Sequence, residues 1–390
     1  MLNDNNVLNQ PKLKNKKIGL VTLFNNNYGS ILQCYATKTY VESLGFDCVV
    51  LEEKKRKKIW GKIRRYYILL YRTIKYKNYF RDKMVMKNAM KTEISYLTQD
   101  TLKNMHSFVN SKLRPCSYTW RQLLEIGNSD DYPRFIVGSD QVWNASRDIP
   151  DIYFLAFTKK NKKVAFGPSI GVSEIPEFNA AIKEKINDFN EISLREETAI
   201  TFVREFYKKS VTRVGDPTIM LDGEEWREFS QEANIPQIKY ILLHFLNRPN
   251  AIALANIQST IKKDYVKVIA VGYKYEDYDT IDGMEFINGN PQQYIALIAN
   301  SSKVFTDSFH TTLFSINLGV QFYTYHRQYL HGFAQTSRIS DLLKRYGLEE
   351  RFIGQEDDIE KISGIVSSDC LVKDREVTRN FIKKQLGVSK

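Results

Sequence analysis

Lys17-Ile-Gly-Leu-Val-Thr-Leu-Phe24 is followed directly by Asn25-Asn-Asn-Tyr-Gly-Ser30 near the start of this 390-residue chain. The first stretch is almost wholly apolar, which predicts a buried strand, and the second is small and polar, which predicts a turn. Residues 31–44 fit a helix that ends at Gly45, and residues 46–51 fit a second strand. A strand, turn, helix and strand in this order are typical of the opening of a parallel α/β layer.

The same alternation recurs in two blocks. In the first, predicted strands lie at 134–138, 163–170, 192–194 and 211–214, and predicted helices at 101–112 and 178–189. In the second, from about Lys239, predicted strands lie at 240–246, 266–271, 303–306 and 321–325, and helices at 250–262, 291–299, 310–318 and 339–346. We predict an α/β protein of two Rossmann-like domains facing a cleft, at 1–220 and 221–373, with a closing helix at 374–390.

Positive charge is concentrated in one segment. The whole chain has a formal net charge of +12, whereas residues 54–87 hold fourteen lysines and arginines and one acid, Asp82, for a net +13. The rest of the chain therefore sums to −1. The segment belongs to a predicted basic helical insert, at about 54–112, in the first domain. One helical face of it carries Ile59, Ile63, Tyr66, Tyr67, Leu70 and Ile74.

Composition and cysteine usage exclude several classes of protein. Hydrophobic residues at 43% and charged residues at 26% exclude global disorder. The four cysteines are widely spaced and form no C-x-x-C pair, which argues against a zinc site or a disulfide framework and favours a reduced, cytoplasmic setting. Residues 1–17 lack the apolar stretch of a signal peptide, and no apolar run is long enough to span a bilayer. Walker and G-x-G-x-x-G loops are absent, so kinases, NAD enzymes and metalloenzymes rank low, and no metal or cofactor is expected.

Thr306-Asp-Ser-Phe-His310 stands where a predicted strand meets a predicted helix. The partial positive charge of a helix start favours a neutral imidazole, and a bound anion would favour the charged form. Such a site suits a proton donor that is charged when a phosphorylated substrate is present. The alternative is a structural histidine that caps the turn. Further polar loops follow predicted strands at 25–30, 138–144, 195 and 215–217, where parallel α/β proteins bind ligands.

Several motifs in a fixed order resemble one known family. They are Asn27-Tyr-Gly-Ser-Ile-Leu-Gln33, Gly138-Ser-Asp-Gln-Val-Trp-Asn144, Ser193-Leu-Arg-Glu196, Gly215-Asp-Pro217, Thr306-Asp-Ser-Phe-His310 with Leu313-Phe-Ser-Ile316, and Ser337-Arg-Ile-Ser-Asp-Leu-Leu343. Together, from about Lys17 to Arg351, they resemble the polysaccharide pyruvyl transferase family. The basic insert at 54–100 is the least covered part.

The resemblance implies a two-domain fold like that of GT-B glycosyltransferases. It also implies transfer of pyruvate from phosphoenolpyruvate (PEP) onto a sugar, often as a cyclic ketal across two hydroxyls. The family's catalytic histidine corresponds to His310 and its PEP-binding arginine to Arg195. Thr311 departs from the glycine that often follows the histidine, and Ser308 from the arginine that some relatives have two residues before it. Both departures bear on the shape of the pocket.

PEP carries a phosphate and a carboxylate, so binding it without a metal needs several cationic donors, a task to which the arginine fork is suited. Arg195 is one candidate and Arg338 a second, although Arg338 could equally be a surface ion-pair partner. Helix starts add further expected PEP contacts at Asn27, Gly29, Ser30 and Ser308. His310 is either the general acid that protonates the methylene carbon or the cation that stabilises the departing phosphate.

The acceptor side needs a base for the attacking sugar hydroxyl. Asp140 and Asp307 are candidates, and each could instead cap a turn or a helix. The expected acceptor contacts are Ser139, Asp140, Trp143 and Asn144, where Trp143 either stacks on a sugar or packs in the core. Asp216, before Pro217, is expected to shape the cleft as a turn residue.

The segment Lys54–Lys87 places seven aromatic residues among its cations. An amphipathic helix of this make-up can lie in the headgroup layer of an anionic membrane. Bacterial acceptors of the family are often lipid-linked sugars, so the protein is expected at the inner face of the cell membrane. The alternative is a solvated helical hairpin packed on the first domain.

Two other functions compete with this one. The first is a GT-B glycosyltransferase that uses a sugar nucleotide, which would share the fold and the cleft. The second is a nucleic-acid-binding protein, because aromatic residues among cations also suit single strands. We expect no nucleic acid partner, because the charge lies in one insert while the remaining loops resemble those of an enzyme.

Overall fold

The computed structural model describes residues 16–54, 67, 69–76, 79–81, 83–84, 88, 96–146, 148–171, 175–264, 266–327, 336–355, 357–362 and 369–388. Within these ranges the chain forms two parallel sheets joined by helices, so the predicted α/β class and its two blocks are confirmed.

The first sheet has seven strands in the order β3-β2-β1-β4-β5-β6-β7. They are β1 Lys17–Val21, β2 Asp47–Glu53, β3 Cys116–Tyr118, β4 Arg134–Val137, β5 Lys163–Ala165, β6 Ile192–Leu194 and β7 Val211–Arg213. Its helices are α1 Tyr28–Ser43, α2 Gln99–Phe108, α3 Trp120–Asn128, α4 Ile182–Asn187 and α5 Glu197–Val203. β1 is an inner strand: its Ile18 pairs with Cys48 on one side and with Arg134 on the other.

The second sheet has six strands in the order β10-β9-β8-β11-β12-β13. They are β8 Tyr240–His244, β9 Lys267–Val271, β10 Met284–Ile287, β11 Lys303–Thr306, β12 Phe322–Tyr325 and β13 Phe352–Ile353. The helices are α6 Gly223–Ser230, α7 Ala251–Asp264, α8 Pro291–Asn300, α9 Phe309–Leu318, α10 Thr336–Tyr346 and α11 Asp369–Leu386. Both sheets have the doubly wound strand order, in which ligands bind beyond the carboxyl ends of strands beside the switch point.

Some elements differ from the expectations. The predicted helix at 178–189 is a 3-10 turn, Glu177–Asn179, followed by the short α4. The predicted helix at 101–112 gives way to a π-helical turn, Val109–Leu113. β3, β10 and β13 were not predicted because they are edge strands whose residues are mostly only half-buried, so they lack the apolar run that predicts a buried strand.

The basic insert lies partly outside the described residues, as do Ile59, Ile63 and Tyr66 of its predicted face. Residues 69–75 are helical. Tyr79 is buried, whereas Tyr67, Tyr71 and Ile74 are 65%, 59% and 78% exposed. The last part of the predicted insert, the helix at 101–112, is not a surface helix, because α2 buries Met105 and Phe108 in the core.

The two sheets share one hydrophobic core. It contains residues of β1 and α1 together with residues of β8, β9 and α8. Tyr28 of the first half inserts into the second, where its ring stacks on Tyr294 at 4.3 Å and its hydroxyl donates to the carbonyl of Gly289 at 2.6 Å. This contact fixes the start of α1 against the second half.

The last helix, α11, returns to the first half. The ring of Phe381 stacks on Phe166, and the hydroxyl of Thr378 accepts the backbone N–H of Gly215 at 2.8 Å. The helix therefore also supports the loop that carries Asp216. No helix in the described part of the chain is both long enough and apolar enough to cross a membrane.

Candidate active site

The loops after β1 and β4 are held together by one buried amide. Gln33 on α1 donates to the Thr22 hydroxyl and to the carbonyls of Leu23 and Ser30, at 2.7 to 2.9 Å. Its carbonyl oxygen accepts the backbone N–H of Ser139 at 3.1 Å. Since β1 and β4 are neighbours, this amide fixes the two loop ends beside each other at the carboxyl edge of the sheet.

Asp140 lies in the tight loop after β4. Gly138 has φ +112°, which favours glycine, and Asp140 itself has φ +55°, a conformation that aspartate tolerates better than most residues. The Ser30 hydroxyl donates to the Asp140 carboxylate at 2.5 Å. The start of α1 is thereby joined to the loop after β4.

Arg195 follows β6 and points to Asp216. Its Nη1 donates to Asp216 Oδ2, and the other oxygen of Asp216 accepts the backbone N–H and the hydroxyl of Thr218 at 3.0 and 2.9 Å. Asp216 thus caps the short turn Pro217–Met220 and also neutralises a buried guanidinium. Asp216 therefore has the turn role expected for it, and it also binds Arg195 in the candidate site.

His310 reaches the cluster from the second half, in the first turn of α9. Ser308 caps this helix, and its side chain accepts the backbone N–H of Thr311. The imidazole Nε2 lies 3.5 Å from Asp216 Oδ2. A Cβ added at Gly29 would lie 2.1 Å from His310 Nδ1, so the imidazole occupies space that only glycine leaves open. The two halves of the chain meet at this contact.

Arg338 on α10 completes the cluster. Its Nε lies 3.3 Å from Glu196 Oε1, and its Nη2 lies 3.9 Å from Asp140 Oδ1. The guanidinium carbons of Arg338 and Arg195 lie 4.8 and 5.1 Å from the centre of the Phe309 ring, within range of a cation–π interaction. One aromatic ring therefore positions both guanidiniums, and Arg338 is a buried site residue, not a surface ion-pair partner.

Opposite charges are closely paired in this buried cluster. Burial alone would raise the pKa of Asp140, but the neighbouring imidazole and two guanidiniums outweigh it and hold the pKa below its usual range. The pKa of Asp216 is likewise held low, since Arg195 and His310 outweigh its burial. Burial lowers the pKa of the Arg338 guanidinium, and the nearby Arg195 adds to the effect.

Several polar atoms of the cluster have no hydrogen-bond partner within the described residues. They are Arg195 Nε and Nη2, Arg338 Nη2, His310 Nε2 and Glu196 Oε2. Buried polar atoms are nearly always paired, so a convergent set of unpaired donors indicates a ligand site. Most of these atoms are N–H donors, which suits an oxyanion. In the parts of the chain that the structure describes, no group of three His, Cys, Asp or Glu residues is arranged to hold a metal ion.

Comparison with known proteins identifies the family. A family model described as polysaccharide pyruvyl transferase matches residues 27–326, most of the chain. This chain belongs to the polysaccharide pyruvyl transferase family. The match begins at the start of α1 and ends after β12, so it covers Asp140, Arg195, Asp216 and His310. The family is one of transferases, which agrees with the expectation from the motifs, and Arg338 lies beyond the matched range. No curated protein matches the sequence.

Comparison with solved structures gives proteins whose fold resembles that of this pyruvyl transferase family member. MnaA of Staphylococcus aureus, solved with UDP, has a TM-score of 0.50 at 10% identity, covering 96% of this chain and 98% of that one. A putative UDP-N-acetylglucosamine 2-epimerase from Listeria monocytogenes has a TM-score of 0.49 at 8% identity, covering 97% and 98%. At 10% identity the likeness to MnaA concerns the fold alone, and that fold is GT-B, as expected.

The structure brings most of the expected PEP-site residues together. Arg195, His310, Arg338, Asp140, Ser30 and Gly29 lie in one cluster. Asn27 and Ser308 cap α1 and α9, so their side chains hold the helix starts. Asp307 accepts the backbone N–H groups of Leu246 and Asn247 at 2.6 and 3.0 Å, so its carboxylate clamps the loop after β8.

The expected acceptor contacts need correction. Trp143 is fully buried: its ring stacks on Phe154 at 5.9 Å and its Nε1 donates to the Tyr153 carbonyl, so no face is open to a sugar. Asn144 accepts from Ser146 and donates to Gln141, and so shapes its own loop. Ser139 is fully buried, and its hydroxyl donates to the Gly167 carbonyl. Of the four, Asp140 alone reaches the polar cluster.

Two members of the cluster had no predicted role in it. Glu196 stands in the Ser193–Glu196 motif, directly after Arg195, and its position beside an expected anion-binding arginine was the available signal. Phe309 looked like an ordinary apolar helix residue. Its contact with two arginines depends on the loop after β6, which carries Arg195, and on α10, which carries Arg338, and these lie far apart in sequence.

Proposed function

We propose that this protein transfers the pyruvyl group of PEP onto a sugar of a bacterial surface-polysaccharide precursor and forms a pyruvate ketal. One observation carries the proposal: unpaired N–H atoms of Arg195, Arg338 and His310 converge in a buried cluster where the two halves meet. The family membership and the GT-B fold support transfer chemistry in such a cleft.

The donors suit the two anionic groups of PEP. Two guanidiniums stacked on one ring present N–H groups in fixed directions, and a planar fork binds a carboxylate or a phosphate at two points. The N-terminus of the ten-residue α9 and that of α1, which meet at His310 and Gly29, add partial positive charge to the cluster. We assign Arg195 and Arg338 to the phosphate and carboxylate of PEP.

His310 is placed to deliver a proton. Its Nε2 lacks a hydrogen-bond partner and faces Asp216, whose carboxylate stabilises the charged imidazole. In the proposed reaction His310 protonates the methylene carbon of PEP, and the adjacent carbon then takes the attack of a sugar hydroxyl. The same cation can afterwards stabilise the departing phosphate.

The direct test is ligand-induced thermal stabilisation. PEP, and not UDP-N-acetylglucosamine, should raise the melting temperature of the wild-type protein. Arg195→Gln should lose this effect, while Arg121→Gln, an exposed residue on α3, should keep it. Mass spectrometry of a lipid-linked glycan incubated with protein and PEP should show a pyruvate ketal. Stabilisation by the UDP-sugar alone would instead support a glycosyltransferase.

We further propose that the acceptor is lipid-linked and that the segment Lys54–Lys87 contacts an anionic membrane. Support comes from Tyr67, Leu70, Tyr71 and Ile74, which are 45% to 78% exposed and sit among the cations of the segment. Arg72 and Lys83 both bind Asp148, in the stretch just after the Asp140 loop. This ion pairing joins the segment to the stretch that follows the Asp140 loop, which supports a membrane contact near the candidate site.

Sedimentation with vesicles tests the membrane contact. Vesicles containing phosphatidylglycerol should bind the wild-type protein at low salt and release it at high salt, since each cation near the surface adds about 1 kcal/mol. Replacing Leu70, Tyr71 and Ile74 by Ser should weaken binding. Ile238→Ser, an equally exposed apolar residue on the second half, should not. Equal binding of all three proteins would contradict the proposal.

A further inference from the structure

Three carboxylates line the candidate active site, and each could accept the proton of an attacking hydroxyl. They are Asp140, Glu196 and Asp216, all with side chains at most 9% exposed. A general base needs an oxygen that is free to accept a proton. The three carboxylates differ in their hydrogen bonds, and these differences indicate which of them could act as the general base.

Asp216 has no free oxygen. Oδ1 accepts two hydrogen bonds from Thr218, and Oδ2 accepts from Arg195 and faces His310. Its side chain is wholly buried behind these partners. Asp216 therefore holds the cationic groups in place, and a sugar hydroxyl could reach it only if one of those contacts broke.

Asp140 is also engaged. Oδ2 accepts the Ser30 hydroxyl at 2.5 Å, and Oδ1 faces the Arg338 guanidinium at 3.9 Å. The low pKa of this carboxyl makes it a weak proton acceptor at neutral pH. Its bonds join the loop after β4 to α1, which is a structural task.

Glu196 is different because one of its oxygens has no donor. Oε1 lies 3.3 Å from Arg338 Nε and 3.6 Å from Arg195 Nη2, whereas Oε2 is buried without a hydrogen-bond partner. The residue occupies the N-cap position of α5, yet its side chain makes no capping bond. A buried carboxylate oxygen without a donor is costly, so an O–H group placed there would be bound well.

We propose that Glu196 is the general base that takes the proton of the attacking sugar hydroxyl. The inference rests on the proposed pyruvyl transfer. Arg195 and Arg338 hold Oε1, and this leaves Oε2 directed at a group bound beside the same two guanidiniums. The sugar hydroxyl would thus be activated next to the carbon that it attacks.

The proton balance closes over one turnover. His310 gives its proton to the methylene carbon of PEP, while Glu196 takes the proton of the first hydroxyl and the sugar oxygen bonds to the adjacent carbon. The bond from that carbon to the phosphate oxygen then breaks, and the leaving phosphate takes the proton from Glu196. The second hydroxyl closes the ketal and returns its proton to His310. Both side chains end in their starting states.

The test separates a base from a residue that only positions arginines. Glu196→Gln keeps the size and one hydrogen-bonding oxygen but cannot accept a proton. We expect kcat to fall about 10² to 10⁴-fold, with PEP-induced thermal stabilisation retained. The acid-side limb of the kcat–pH profile, which is the decrease of kcat when the base is protonated, should be lost. Glu196→Asp should recover part of kcat together with that limb. Glu197→Gln, the neighbouring half-exposed residue, should behave as wild type.

Two results for Glu196→Gln would overturn the proposal. Near-normal kcat together with normal PEP stabilisation would remove the base role. Loss of PEP stabilisation while kcat at saturating PEP stays unchanged would show that Glu196 only positions the arginines. If Asp140→Asn rather than Glu196→Gln removes the acid-side limb, the base is Asp140. A wild-type protein that makes no pyruvate adduct would refute the proposed function itself, which is a separate outcome.

Discussion

The imidazole Nε2 of His310 lies 3.5 Å from Oδ2 of Asp216, the same oxygen to which Arg195 donates. One carboxylate from the first half therefore holds two cationic groups, one from each half of the chain. Because Asp216 also caps the Pro217–Met220 turn, its two oxygens serve a structural and a functional purpose together.

Asp216→Asn should destabilise the protein and reduce its activity. The change leaves the buried Arg195 guanidinium without its closest counter-charge, and breaking a buried ion pair from one side costs about 3–5 kcal/mol. Urea denaturation would measure the loss. Asp151→Asn removes an exposed partner of Lys185 and should change stability by less than about 1 kcal/mol. Equal effects of the two changes would contradict this role.

His310→Ala should reduce pyruvyl transfer about 10² to 10⁴-fold, because it removes the proposed proton donor. The initial rate of phosphate release, with PEP and acceptor both present, would measure the loss. His326→Gln provides the control, since that ring is exposed and packs on Phe352. Near-normal turnover in His310→Ala would leave the imidazole without a catalytic role.

Gly29→Ala should inactivate the protein with little change in its fold. The added Cβ would lie 2.1 Å from His310 Nδ1 and must displace the imidazole, and a misplacement of about 1 Å can cost about 10²-fold in rate. Circular dichroism should remain as in the wild type. Gly354→Ala is the matched change, since the nearest neighbour of the added Cβ is a flexible carboxylate oxygen of Asp357, 3.3 Å away. Full activity in Gly29→Ala would show that His310 tolerates movement.

His244 should make stability depend on pH. Burial lowers the pKa of this histidine from 6.5 to about 4, so the unfolded chain binds a proton that the folded protein does not. Stability should therefore rise with pH between about 4 and 6.5, by up to about 3 kcal/mol from this residue. His244→Gln should flatten the urea-denaturation profile in that window, and His326→Gln should not. An unchanged slope in His244→Gln would contradict the shift.

Trp143→Ala should cost about 3–5 kcal/mol in the free energy of unfolding, as expected for a large core residue. Trp143→Phe should cost less and retain the KM for the acceptor, since the ring stacks on Phe154 inside the core. Leu124→Ala, at a residue that is 40% exposed, should have little effect. A raised acceptor KM in Trp143→Phe, with stability unchanged, would restore the role of sugar platform.

Much of the architecture followed from local sequence signals. The apolar run at 17–24 and the polar turn after it predict β1 and the start of α1, because a strand buried on both faces needs continuous apolar residues. The edge strands β3 and β13 carry no such run, and each pairs with one neighbouring strand, β2 or β12.

The candidate site, like the fold, was predicted from the sequence only in part. The amino-acid sequence by itself predicted two α/β blocks and polar loops at their strand ends, and its family motifs predicted Arg195 and His310 as site residues. Only the tertiary structure decided that Arg338 and Glu196 join them, that Trp143 is core and that Asp307 clamps a loop. The physical reason is that burial and pairing of a charge depend on groups that only the fold brings together, such as Arg338 and Glu196, which are 142 residues apart, and no local pattern records them.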